Sequence, residues 1–148
     1  MQKIREPEVI QRTAENHYSS GFNCAESVCR AITETYRPED SQDAVRSAGY
    51  FGGGIAGTHD EVCGALSGGI IALGLLQGRS KPGEPLSGKT LAAEFKDRFL
   101  ERNGHVRCHA LIEGLEETDR KTRCRRLTGE AARSLSVLLN REDVIRSV

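Results

Sequence analysis

The 148-residue chain has no tryptophan, and aromatic residues make up only 5% of it. A surface that stacks nucleic-acid bases needs more aromatic side chains than that. It has no excess of either charge: 21 Lys and Arg balance 21 Asp and Glu, so the net charge is zero. A global field that gathers nucleic acid or an anionic membrane is thereby excluded. It has no long hydrophobic run either. The longest, Val62 to Leu76, contains four glycines and falls short of the ~20 residues that span a bilayer. The start, Met-Gln-Lys-Ile-Arg-Glu-Pro-Glu, is charged and lacks the apolar segment of a secretory leader. A cytoplasmic, reducing location is the expectation that follows, and residues 1–148 are expected to form one domain.

Strand signals are also scarce, and apolar residues recur at helical spacing. Pro7 opens a helix carrying Ile10, Ala14, His17 and Tyr18 on one face, closed at Gly21. Asn23, with Glu26 three residues on, is a capping box for a second helix that Arg37-Pro38 ends. Ser41 to Ala48 makes a short third. Next comes Gly49 to Gly57, with five glycines in nine residues, chain suited to close backbone approach. Thr58 or Asp60 is the expected cap of the following helix, Cys63 to Leu76, apolar nearly all round and therefore central and buried. Gly64 and Gly68 share one of its faces, Ala65 and Gly69 another, so a neighbour can come close. Further helices are expected over Lys89 to Arg102, Cys108 to Ile112 and from about Leu127 to Val148, with a polar link over Glu113 to Arg123. The fold class is all-α: a bundle of about five to six helices around a buried glycine-rich central helix.

Two motifs offer weaker alternatives, nucleotide binding and a histidine-containing metal site. Gly83-Glu84-Pro85-Leu86-Ser87-Gly88-Lys89-Thr90 satisfies the phosphate-loop pattern, but no strand precedes it and Pro85 removes a backbone donor. His105 and His109 lie four apart around Cys108, a spacing for Zn²⁺ on one helix turn, yet the helix is expected to begin between them.

The five cysteines include no C-x-x-C, so neither a thioredoxin-type motif nor a zinc ribbon is present. Cys24, Cys63, Cys108 and Cys124 each stand where a helix is expected to start, beside glycine, a capping residue or arginine. A helix N-terminus lowers a thiol's pKa and makes it a better nucleophile or metal ligand. Cys29 breaks the pattern. It points about 140° away from Cys24 on the same helix, and it reads as a small buried core residue.

The order of these segments resembles a family. Gly21-Phe22-Asn23-Cys24-Ala25-Glu26 comes first, then the glycine-rich loop and Cys63-Gly64-Ala65-Leu66-Ser67-Gly68. Phe95 and Phe99 lead through Gly104 to Cys108, and Cys124 precedes the last apolar helix. This is similar to the redox-active proteins named for a C_GCAxxG_C_C signature, although here the central element reads Cys-Gly-Ala. The resemblance implies redox activity at Cys24, Cys63, Cys108 and Cys124. A similar domain accompanies haem segments in split-Soret-type cytochromes, which implies electron transfer and an iron–sulfur or other iron centre. This chain has no C-x-x-C-H and so no c-type haem site.

Two mechanisms are open for such a centre. Four thiolates can bind an iron–sulfur cluster or a single metal ion, with backbone N–H groups around Gly53, Gly54 and Gly64 donating to it. Alternatively the thiols cycle as disulfides without metal, Cys63 attacking and Cys24 resolving. A non-catalytic helical interaction module with core cysteines is the third alternative. A redox partner protein is expected, and the apolar glycine-bearing helix leaves room for a homodimer; nucleic acid is not expected as a partner.

Overall fold

The computed structural model describes residues 5–147, with only the backbone for residues 143–147. Residues 1–4, part of the charged start, and Val148, the expected end of the last helix, lie outside the described residues.

The described residues form seven α-helical segments: α1 (Pro7–Ser19), α2 (Cys24–Tyr36), α3 (Ser41–Ala48), α4 (Gly64–Gln77), α5 (Lys89–Asn103), α6 (Cys108–Ile112) and α7 (Glu117–Ser147). No β-strand occurs among the described residues, only one isolated antiparallel bridge between Val62 and Arg107. The all-α expectation therefore holds. α3 and α6 are short, and the other five helices carry most of the core.

The starts and stops follow the local chemistry. Asn23 accepts from the Glu26 N–H at 2.9 Å, and Glu26 accepts from the Asn23 N–H at 2.9 Å, so the capping box is complete. The Asn23 amide also donates to Gly49 O, tying the α2 start to the glycine-rich loop. Replacing Asn23 with Ala is expected to cost about 2 kcal/mol, the upper end for a lost cap; urea unfolding of the variant measures it. Gly104, at φ 80°, closes α5 in the left-handed conformation.

α4 packs chiefly on α2 through its glycines. A Cβ on Gly64 would strike Cys24 Sγ, and one on Gly68 would strike the Ala25 backbone. Gly69 lies under Phe95 and Leu135. The first half of α4 is buried on every side, from Gly64 to Gly69. Its second half is less central than its apolar sequence suggests: Ile70 is exposed, and Gly74 meets nothing. α1 runs along α7, and α2 fills the space between them and α4. Phe95, Ile32, Leu127, Leu135 and Leu138 are fully buried there.

Two boundaries differ from expectation. α4 starts with Cys63 itself at the cap position and no side-chain cap, so neither Thr58 nor Asp60 caps it. Thr58 instead donates to the Gly54 and Ile55 carbonyls inside its own loop. α7 begins at Glu117, nearly three turns earlier than the apolar pattern indicates, and absorbs most of the expected polar link. Those turns carry no apolar stripe. Acidic Glu117 and Asp119 stand in the first turn, and Lys121 pairs with Glu117 one turn away.

The Gly83 to Thr90 segment is a turn leading into α5, with no strand before it. The Glu84 carboxylate accepts from the backbone N–H groups of Ser80 and Lys81 at 2.9 and 3.0 Å. A side-chain anion thus takes up nearby loop donors, and the phosphate-loop reading has no structural support.

Candidate redox site

Four separate local structures deliver four thiols. Cys24 is the first residue of α2, set by the Asn23–Glu26 capping box. The glycine-rich loop folds over it. Five consecutive residues, Gly53 to Gly57, have positive φ, including Ile55 at 72° and Ala56 at 53°. A β-branched residue pays roughly 1–2 kcal/mol for that conformation. The turn is held by Ala56 N–H to Tyr50 O, Gly57 N–H to Gly52 O and His59 N–H to Gly53 O. Gly54 sits against Cys108, whose Cβ would lie 2.7 Å from an added methyl.

Cys63 and Cys108 are brought together by the isolated bridge. The Cys63 N–H donates to Val106 O at 2.7 Å, and the Cys108 N–H to Glu61 O at 2.9 Å. His109 N–H adds a third strap, to His59 O. One short backbone pairing therefore places the start of α6 beside the start of α4. Cys124 arrives differently. It is the eighth residue of α7, not a helix start, and it shares the cavity wall with Tyr18 of α1.

All four cysteines line one cavity of about 790 Å³, together with Tyr18, Gly53, His59 and Arg120. Cys29 does not; it is fully buried in the core, as its position on α2 implies. His105 and His109 are exposed and lie outside the cavity lining. Gly53 lines the cavity, while Gly54 and Gly64 act through close approach to Cys108 and Cys24. His59, Tyr18 and Arg120 were not legible as site residues. His59 sits at the foot of a glycine turn, and Arg120 lies in a stretch that reads as solvated linker.

The thiols are not activated in the way a helix N-terminus suggests. Cys24, Cys63 and Cys108 are each less than 10% exposed, and Cys124 is half-buried. Burial is the main cause raising the pKa of all four above the ordinary 9.0. Cys63 is raised by burial first and then by the charge of Cys24, with Cys108 and Cys124 adding to it against the pull of the Ala65 N–H. Cys108 is pushed up to about 11, by burial and by Cys24 and Cys124, against the pull of Arg120. Cys24 is raised by burial, but backbone N–H groups of Gly53, Ala25, Cys24 and Gly64 oppose it. Tyr18 is pushed up to about 12 by burial and the charges of Cys124 and Cys24, and its hydroxyl eases ionisation of Cys124. Core Cys29 rises to about 12 through burial alone.

A thiol whose pKa is raised by folding favours the folded state while protonated. That contribution is complete below pH 9 and is lost as pH rises through 11 for Cys108. Alkylation of Cys108 by iodoacetamide is expected to keep rising about tenfold per pH unit from pH 8 to pH 10. Peptide mass spectrometry measures this, and a plateau at pH 9 would contradict it.

All five cysteines are free thiols. Thiolate is a correct donor for iron or zinc. Among the described residues, however, no three His, Cys, Asp or Glu side chains converge closely enough to hold a metal ion.

No helix among the described residues is long and apolar enough to cross a membrane. No curated protein and no solved structure matches the chain. A family model does, over residues 22–138, which takes in all four cavity cysteines and the loop that covers Cys24. That family is described as "Putative redox-active protein (C_GCAxxG_C_C)", and the chain belongs to it.

Proposed function

We propose that the protein is a dithiol–disulfide redox protein whose centre is Cys24, Cys63, Cys108 and Cys124. The observation that supports this is the collection of those four thiols, and not Cys29, around one cavity. Cys24 is the attacking thiol. It alone receives several opposing backbone N–H groups, and its charge raises the other three. That order reverses the one expected from sequence. Cys63 is held as thiol by burial and by the Cys24 charge, and serves better as a resolving group. Such a protein works in a reducing compartment with a partner that supplies or accepts two electrons.

An iron–sulfur cluster or single metal ion is the second reading. The N–H groups around Cys24 favour it, since cluster sulfurs are stabilised in the same way. So does the mutual repulsion the four groups would have as thiolates, which a bound cation relieves. At least three of the thiols would have to draw together to make the cage.

Anaerobic purification followed by a visible spectrum, metal analysis and thiol titration tests both readings. A colourless, metal-free protein whose thiols oxidise and reduce reversibly in pairs is the expected result. Visible charge-transfer bands with stoichiometric iron would replace the first reading by the second. Five unreactive thiols would leave the cysteines as core and overturn both.

A further inference from the structure

Three cationic side chains of α7 line the thiol cavity: Arg120, Lys121 and Arg125. Two of them are engaged. Lys121 pairs with Glu117 at 3.7 Å, and the Arg125 guanidinium donates to the Ser19 hydroxyl at 2.9 Å. Arg120 is half-buried and has no side-chain hydrogen-bond or ion-pair acceptor among the described residues. Its charge bears on Tyr18, Cys108 and Cys124 across the cavity. The rest of the wall is largely apolar, with Phe22, Leu111, Ile112 and Leu127. At about 790 Å³ the space falls in the range of small-molecule sites. An unpaired guanidinium at an apolar cavity is suited to a planar anion such as carboxylate, which it holds through two parallel hydrogen bonds.

We infer that this cavity binds a small anionic disulfide, with a carboxylate on Arg120 and its sulfur–sulfur bond among the four thiols. This rests on the dithiol reading and names the substrate class for it. The Cys24 thiolate attacks one ligand sulfur. A protein–ligand S–S bond forms, the ligand's own S–S bond breaks, and the released thiolate takes up the proton that Cys24 gave up. A second thiol of the set then loses its proton and attacks Cys24 Sγ. An internal S–S bond forms, the mixed bond breaks, and the second ligand thiolate leaves with that proton. The protein gives up two electrons and two protons, and the disulfide becomes two thiols.

The sign of the preference is informative. Thiolates on their own repel an anionic disulfide and attract a cationic one, so a preference for the anion requires the cations of α7, of which Arg120 alone has a guanidinium free to hold a carboxylate. The test uses the reduced full chain at low ionic strength and three disulfides of similar size: dianionic dithiodipropionate, neutral bis(2-hydroxyethyl) disulfide and dicationic cystamine. Acid-quenched samples are read by intact mass and free-thiol count. Dithiodipropionate is expected to oxidise the protein about thirtyfold faster than cystamine, with the neutral disulfide between. Arg120→Gln is expected to lower the anionic-to-neutral rate ratio severalfold, and Arg120→Lys to restore part of it. Equal rates for all three probes, or a faster cystamine reaction, would overturn the anion site and leave the dithiol reading standing. No reaction with any of them would overturn both.

Discussion

Replacing Cys24 with Ser is expected to slow reversible oxidation of the centre by about a hundredfold, more than the same change at Cys63, Cys108 or Cys124. The thiolate, not the thiol, attacks a disulfide. Every thiol in the cavity is disfavoured as an anion by burial, so the one with the best local compensation carries the reaction. Backbone N–H groups of Gly53, Ala25, Cys24 and Gly64 supply that at Cys24. A hydrogen bond to a charged group is worth roughly 1.5–3 kcal/mol, and a hundredfold in rate corresponds to about 2.7 kcal/mol, so one or two such bonds suffice. Serine keeps the hydrogen-bond acceptor in the same place and spares the fold. The measurement is the rate of diamide oxidation, followed by loss of free thiol. A silent Cys24→Ser beside a slow Cys63→Ser would reassign the attacking role.

Gly68→Ala is expected to destabilise the fold by about 2–3 kcal/mol, while Gly74→Ala, six residues along the same helix, stabilises it slightly. The added methyl at Gly68 would meet the Ala25 carbonyl oxygen, with Ala25 Cα at 2.7 Å and its carbonyl carbon at 2.8 Å. Backbone faces backbone there, so no side chain can turn away. α2 and α4 must separate, at a cost of roughly 3 kcal/mol or slightly more, the upper end for an overpacked core contact. Alanine's better helix propensity returns ~1 kcal/mol of this. Gly74 meets nothing within 4 Å, so only the propensity gain remains. Thermal unfolding should show Gly68→Ala lower by roughly 5–10 °C. Because Ala25 follows Cys24, the same variant should also disturb the N–H groups around the Cys24 thiol. Equal melting temperatures for the two variants would contradict the close packing of α4 on α2.

Much of this architecture was legible because its signals are local. The capping box at Asn23, the proline after Arg37 and the glycine after Asn103 fix helix ends by chemistry within a few residues. The small-residue faces of α4 were legible for the same reason. The start of α7 was not, because Glu117 to Arg126 is held by charge pairing and carries no apolar period. Cys124 was therefore misplaced at a helix start, although its membership of the set was read from the order of motifs. The sign of the thiol shifts was missed as well. Position at a helix start favours the thiolate, but burial is a tertiary property and outweighs it here. The bridge that sets Cys63 beside Cys108 depends on residues 62 and 107 meeting, which no local pattern announces. Nor does spacing reveal that Ile55 and Ala56 join the glycines in a left-handed turn.

The most direct test of the four-cysteine centre is disulfide mapping after one mild two-electron oxidation. Free thiols are blocked in acid, and the bridged peptides are read by mass spectrometry. The predicted result is a bridge between Cys24 and another member of the set Cys63, Cys108 and Cys124, with Cys29 recovered as free thiol in every sample. A bridge that includes Cys29, or the recovery of all five cysteines as unreacted thiols, would contradict the account.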